Sequence, residues 1–353
     1  MRTLLAALCL LITFPAPAMA QGFHTAGDDG KRVEGEYVSS ISDDRINESS
    51  GLAYSSKFSD LAYTINDEDG PIYTIRPSTG KVVGTIKLDG VKLGDPESLY
   101  VDPYGHIWLG DLGDNDEERD DVAIYAFNEP GAGKFEVKET LKFPVTFPDG
   151  PTNVEAMLVD PISGQVYLIH KTKKEKDSTV YALPNPLSNG QDNRARNLDK
   201  QMPKWVTDGI ITPDGARALV KTEDEIYVYD PATWERLDQF KTRKIGQSES
   251  ITIEPDQKNV LIGAEGEGSP LLRIPLPADA RPTSTATPTE SALSNLQDFE
   301  PVPVGDSETP AGVSLRSLIG LVVILGLVVG MASMVWLRVG LRRRRKLNRI
   351  RRM

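Results

Sequence analysis

Five short stretches of the chain share one design, a polar or acidic residue, a small residue and then an aliphatic one. They are Ser50-Gly51-Leu52, Glu97-Ser98-Leu99, Glu155-Ala156-Met157, Asp208-Gly209-Ile210 and Glu249-Ser250-Ile251. A second polar set follows them in the same order: Asn66 and Asp67, then Asp111, Asp114 and Asn115, then Lys171, then Lys221 with Glu223, then Glu265. Carboxylates gathered at one level repel one another and need a cation, a lysine partner or raised pKa values. Carboxylate and amide oxygens suit a hard cation such as Ca²⁺. The expected metal ligands are Glu97, Asp111, Asp114, Asn115 and Glu155. The expected ligand-binding residues are Ser50, Asn66, Asp67, Lys171, Asp208, Lys221, Glu249 and Glu265. Lys171 and Lys221 offer the competing outcome, internal ion pairs in place of a metal.

Two loops are dense in oxygen donors, Asp111-Leu112-Gly113-Asp114-Asn115-Asp116-Glu117-Glu118 and Asn66-Asp67-Glu68-Asp69-Gly70. Neither has EF-hand spacing. Cys9 is the sole cysteine, which removes thiol nucleophiles and cysteine zinc sites from the mature chain. The histidines are His24, His106 and His170, and no Ser/His/Asp arrangement is readable around them.

The elements that must position these residues read as short strands. The runs are rich in Val, Ile, Leu and Tyr and are broken by turns such as Asp102-Pro103-Tyr104-Gly105, Asp160-Pro161-Ile162-Ser163-Gly164, Thr212-Pro213-Asp214-Gly215 and Glu254-Pro255-Asp256-Gln257. Proline presets φ and glycine accepts φ > 0, so these are hairpin turns. Each copy continues into a second and a third strand, and most into a fourth, which describes an all-β propeller of five blades. A sixth blade is the alternative, if a degenerate one lies in 131–153 or 182–206. The fifth copy has no fourth strand of its own, and Gly35-Glu36-Tyr37-Val38-Ser39-Ser40-Ile41 is expected to supply it and close the ring. In such a blade the start of strand one and the end of strand two meet at one face. The two polar sets should therefore converge at one channel mouth.

Outside that domain, 34–277, the chain carries address signals. Residues 1–20 read as a signal peptide ending in Ala18-Met19-Ala20, and 21–33 as a flexible leader. Residues 278–313 read as a stalk rich in Pro, Ser and Thr. Residues 314–338 contain an uncharged run from Ser317 to Leu337 that is long enough to cross a bilayer. The tail, 339–353, is rich in arginine, which places it in the cytoplasm and the propeller outside the cell. Net charge is −11 even with that tail included, so the ectodomain is strongly acidic and unsuited to nucleic acid.

The stretch Gly110-Asp111-Leu112-Gly113-Asp114-Asn115 follows Asp95-Pro96-Glu97-Ser98-Leu99 and precedes a strand ending in Asn128-Glu129-Pro130. It resembles exported bacterial β-propeller proteins that carry a Gly-Asp-Ile-Gly-Asp-Asn motif, a group with phytase-like and esterase-like relatives. Glu48-Ser49-Ser50-Gly51-Leu52, Thr64-Ile65-Asn66-Asp67 and Val154-Glu155-Ala156-Met157 are similar to that group as well. The chain departs from it around Glu97, which lies between Pro96 and Ser98 where the group has Asp-Trp-Glu-Asp. The resemblance implies the fold and a calcium site more than an activity.

Two functions are therefore expected. One is a membrane-anchored surface module that binds a ligand or protein partner at the channel mouth. The alternative is a metal-dependent hydrolase of phosphoesters, esters or lactones, with Glu97, Asp111, Glu155, Asp208, Glu249 and Glu265 holding metal or acting as base.

Overall fold

The computed structural model describes residues 31–172 and 178–283. The first strand, β1 (Glu36–Ser40), pairs last. Blade one is β2 (Ser49–Tyr54), β3 (Ala62–Asn66), β4 (Ile72–Arg76) and β5 (Lys81–Leu88). Blade two is β6 (Pro96–Val101), β7 (His106–Asp111) and β8 (Ala123–Asn128), then a detour through β9 (Gly133–Val137) before β10 (Leu141–Thr146). Blade three is β11 (Val154–Val159), β12 (Val166–His170) and β13 (Ser178–Ala182), with β14 (Asn193–Arg194) preceding β15 (Arg196–Met202). Blade four is β16 (Val206–Ile211), β17 (Ala218–Thr222), β18 (Glu225–Asp230) and β19 (Glu235–Lys241). Blade five is β20 (Ser250–Ile253), β21 (Asn259–Gly263) and β22 (Pro270–Pro275), completed by β1.

The inner strands touch in a closed cycle, β2 to β6, β11, β16, β20 and back to β2. The described residues are thus a five-bladed propeller, and β1 closes it by pairing antiparallel with β22, from Glu36 opposite Arg273 to Ser40 opposite Pro270. The expected closure is present.

Strand alternation explains where the core sits. Successive side chains of a strand point to opposite faces, and both faces of each blade meet a neighbouring blade. In β7, Ile107 and Leu109 enter the core shared with blade one, whereas Trp108 enters the core shared with blade three. In β8, Tyr125 and Phe127 take the first side and Ile124 and Ala126 the second. Each of the five seams holds one such apolar cluster. Burial on both faces is why these strands read as continuous apolar runs.

The segments read as a sixth-blade alternative have another use. β9 pairs parallel with β5, the outer strand of blade one, and β14 pairs parallel with β10, the outer strand of blade two. Each link from strand three to strand four reaches back and covers the exposed edge of the preceding blade. Gly84 permits this approach, since a Cβ there would lie 2.4 Å from Gly133 O. Lys31 to Val33 repeats the device beside β19, with Arg32 bridged to Lys241. These three residues, read as the end of a flexible leader, therefore belong to the propeller.

The same holds at the other end. Ala278–Ala280 form a 3-10 turn, Ala280 is buried, and Thr283 N–H donates to Asp214 Oδ2 at 2.5 Å. The described domain thus extends past 277 into the segment read as stalk. The signal peptide, the rest of the leader and stalk, the membrane span and the basic tail lie outside the described residues. Among the described residues no helix is long and apolar enough to cross a membrane.

Candidate functional site at the channel mouth

Every inner strand carries one extra residue against its partner at the mouth. Pro96 faces Asp111 but Ser98 faces Gly110, Val154 faces His170 but Ala156 faces Ile169, and Val206 faces Thr222 but Asp208 faces Lys221. Ser49 faces Asn66 but Leu52 faces Thr64. In blade five Ser250 faces Gly263 while Glu265 N–H donates to Gln247 O. Bulges of this kind re-aim side chains. The equivalent residues are Ser50, Glu97, Glu155, Thr207 and Glu249.

This shifts the expected alignment of the fourth copy by one residue. Thr207, not Asp208, is the counterpart of Glu97, and its hydroxyl donates to Ser248 O at 3.0 Å. Asp208 is the counterpart of Ser98, whose hydroxyl donates to Glu155 O at 2.7 Å and accepts Met157 N–H at 3.1 Å. Asp208 does a like job at the seam between blades four and five, accepting Ile251 N–H at 2.8 Å and Gly209 N–H at 2.7 Å. Burial pushes its carboxyl well above the usual range, against the pull of those two N–H groups and Lys221. Lys221 is wholly buried and donates to Thr222 O at 2.7 Å and Ser248 O at 2.5 Å. Burial brings its pKa down to about 8 despite Glu249 and Asp208. Both residues therefore tie blade four to blade five beneath the mouth.

Above them the carboxylates do meet. Lys171 Nζ lies 3.1 Å from Glu155 Oε2, and Asn153 Nδ2 donates to Glu155 Oε1 at 3.0 Å. Glu97 is 6% exposed and is pushed far up by burial, then by Glu155 and Asp95, with Lys171 and Ser50 opposing. Glu155 is raised by burial, with Lys171 opposing. Burial alone would lower Lys171, but Glu155, Glu249 and Glu97 together hold it above its usual range.

Beside this pair, at the seam between blades five and one, Glu48, Asp67 and Glu265 bring one oxygen each to within 4.8 Å of one another. The backbone fixes them there. Asp67 N–H donates to Glu48 O at 3.2 Å, and Gly266 N–H donates to Asn47 O at 2.8 Å. Gln247 Nε2 donates to Glu265 Oε2 at 2.5 Å. Burial, then Glu48 and Asp95, push Asp67 up to about 6. Burial, then Glu249, Glu48 and Asp67, push Glu265 up to about 7. Asn66 sits at the end of β3 with its Nδ2 donating to Arg45 O at 2.8 Å, so it braces the loop that carries Glu48.

The Gly-Asp-x-Gly-Asp-Asn loop supports the mouth from behind. Asp111 accepts the N–H groups of Gly94 and Asp95 and the Arg119 guanidinium, the last at 3.1 Å. Asp114 accepts Glu118 N–H at 2.9 Å and Arg119 N–H at 3.0 Å. Asp114 N–H in turn donates to Asn153 Oδ1 at 2.7 Å, and Asn153 orients Glu155. A tight loop exposes consecutive backbone donors that need acceptors, and these two acids provide them. Of the five expected metal ligands, Glu97 and Glu155 thus reach the mouth, Asp111 and Asp114 organise the loop behind it, and Asn115 is exposed on that loop. Glu223 pairs at the surface with Lys244 at 2.8 Å. His170 Nε2 lies 4.0 Å from Glu117.

Glu48 and Asp95 are site residues that the polar sets do not contain. Each lies two positions before a bulge residue, Ser50 and Glu97. That spacing puts alternate residues on one side of an extended chain, and it is the signal that could have found them.

No family model matches the sequence, and no curated protein matches it. Among solved structures, the chain is similar to a gluconolactonase from Xanthomonas campestris at 14% identity, covering 68% of this chain and 88% of that one with a TM-score of 0.41. It is similar to a luciferin-regenerating enzyme at 12% identity, covering 65% and 78% with a TM-score of 0.42. A putative gluconolactonase follows at 10% identity, covering 69% and 92% with a TM-score of 0.39. The five-bladed ring stands on its strand pairing, not on these likenesses.

Proposed function

We propose that the chain is an exported, membrane-anchored binding module whose channel mouth takes a ligand or protein partner, with a calcium site at Glu48, Asp67 and Glu265. The observation that carries this reading is the convergence of those three carboxylates within 4.8 Å, beside the Glu97, Glu155 and Glu249 group, with one nearby lysine. Hard oxygen donors in that number suit Ca²⁺ completed by water. The uncharged run Ser317 to Leu337 and the arginines after it support the anchor. Calcium titration of the full chain in detergent, read by melting temperature, tests the site, since a ligand that binds only the native state raises it. No shift up to millimolar calcium sinks the calcium site. Extraction of the chain from membranes by alkaline carbonate sinks the anchor.

A second reading, metal-dependent hydrolysis, has one observation in its favour. Glu265 is pushed up to about 7, where a carboxylate can exchange protons near neutral pH. Turnover of ester, lactone and phosphoester substrates that is lost with chelator and in Glu265→Gln would establish it. No turnover leaves the binding module.

A further inference from the structure

The mouth already holds a cation, and the protein supplies it. The Lys171 side chain is 15% exposed and its ammonium lies 3.1 Å from Glu155, whose side chain is 2% exposed. Glu249, Glu97 and Glu265 also act on it electrostatically. It comes from the end of strand two of blade three, and blades two and five contribute its other carboxylates. One ammonium therefore serves several acids that belong to separate blades, and those acids outnumber it.

Lys221 is the contrasting case. It is fully buried, and its ammonium donates to backbone carbonyls of Thr222 and Ser248, so it belongs to the scaffold. Lys171 has carboxylate partners, some solvent access and a long stem that can swing aside. It also begins a lysine-rich stretch, Lys171-Thr172-Lys173-Lys174-Glu175-Lys176.

We propose that Lys171 is a tethered competitor that occupies the cation position beside Glu155, so that it sets which cations the mouth accepts and how tightly. An incoming ligand must present a positive group able to replace an ammonium among Glu97, Glu155 and Glu249. The class that fits is an alkylammonium, as on a polyamine or a lysine side chain. Calcium binding at Glu48, Asp67 and Glu265 is opposed by Lys171 through Glu265. The inference rests on the cation-binding reading of the mouth given above.

The test compares the full-length wild type with Lys171→Met and Lys171→Ala, reading melting temperature and isothermal titration with calcium and with methylammonium. Without added cation both variants melt lower than wild type, because Glu155 loses its partner. Methylammonium should restore Lys171→Ala, which leaves room for it, more than Lys171→Met, and should leave wild type unchanged. Calcium should bind Lys171→Met about tenfold more tightly than wild type, close to the ~1.4 kcal/mol that a tenfold change represents. A Lys171→Met variant with wild-type calcium affinity, together with no rescue of Lys171→Ala by methylammonium, overturns the role of Lys171 while the calcium site stands. No calcium response in either protein overturns both. Should those variants fail to fold, Lys171→Arg, which keeps a tethered cation, should retain wild-type calcium affinity and stay unresponsive to methylammonium, and a clear gain in either overturns the role of Lys171.

Discussion

The two faces of the ring treat buried acids in opposite ways. On the hairpin-turn face each has its own donors. Asp102 accepts Tyr104 N–H, His106 N–H and Trp108 Nε1, with His106 Nδ1 at 2.8 Å. Glu129 accepts the hydroxyls of Ser55, Ser56 and Tyr63 and the N–H of Lys57. Glu254 takes the Arg273 fork at 2.6 and 3.0 Å and the Tyr54 hydroxyl. At the mouth Asp111, Asp114 and Asp208 also have donors of their own, but the remaining acids face acids. Glu97 neighbours Glu155 and Asp95, Glu265 neighbours Glu249, Glu48 and Asp67, and Lys171 is shared among them. Charges that are locally satisfied hold a fold together. Charges left facing one another store repulsion that an added cation can relieve, and the proposed cation site rests on that contrast.

The contrast can be broken most severely from the turn face. Glu129→Ala removes the acceptor of three hydroxyls and a backbone N–H, the Tyr63 hydroxyl among them buried, and should cost roughly 1–3 kcal/mol in urea denaturation with no change in calcium affinity. A loss confined to the mouth's ligand response would reverse the assignment of faces. Next in size, Glu265→Gln should abolish the calcium-dependent rise in melting temperature. In chelator the same variant should melt higher than wild type, because one member of a repelling group is gone.

The pH response should differ between the faces as well. Asp67 at about 6 and Glu265 at about 7 lie above the values expected in an unfolded chain, about 4 for both residue types. The folded state then binds more protons than the unfolded one between those limits. The contribution of these two groups is therefore stabilising at low pH and declines as pH rises through 6 and 7. In chelator, melting should fall from pH 5 to pH 8 by an amount that Glu265→Gln reduces. Calcium competes with those protons, so its stabilisation should grow over the same range. The smallest effect is expected at the turn-face exit of the chain. Asp214→Ala frees Thr283 from the 212–215 turn and should cost about 1 kcal/mol, without touching calcium binding.

The blade count and the closing strand were legible because turn chemistry and apolar runs are local. The single ambiguity came from 131–153 and 182–206, which contain real strands. β9 and β14 pair outward with a neighbouring blade, and nothing local distinguishes that from a blade of their own. At the site, Glu97, Glu155, Glu249, Asp67, Glu265 and Lys171 were readable as strand ends on one face. Asp208 was displaced because Asp208-Gly209-Ile210 imitates the opening pattern, while the bulge sits at Thr207. Asp111 and Asp114 look like metal donors by type, and only the loop's unpaired N–H groups reveal their use.

By itself the sequence determined the repeat, the acidic character and the strand that completes the ring, since period-two burial, turn residues and charge are properties of short segments. Which acids meet was decided by tertiary structure. Glu48 and Asp67 reach Glu265 only because the ring closes between blades one and five, and one extra residue per inner strand decides whether a side chain looks into the mouth or across a seam.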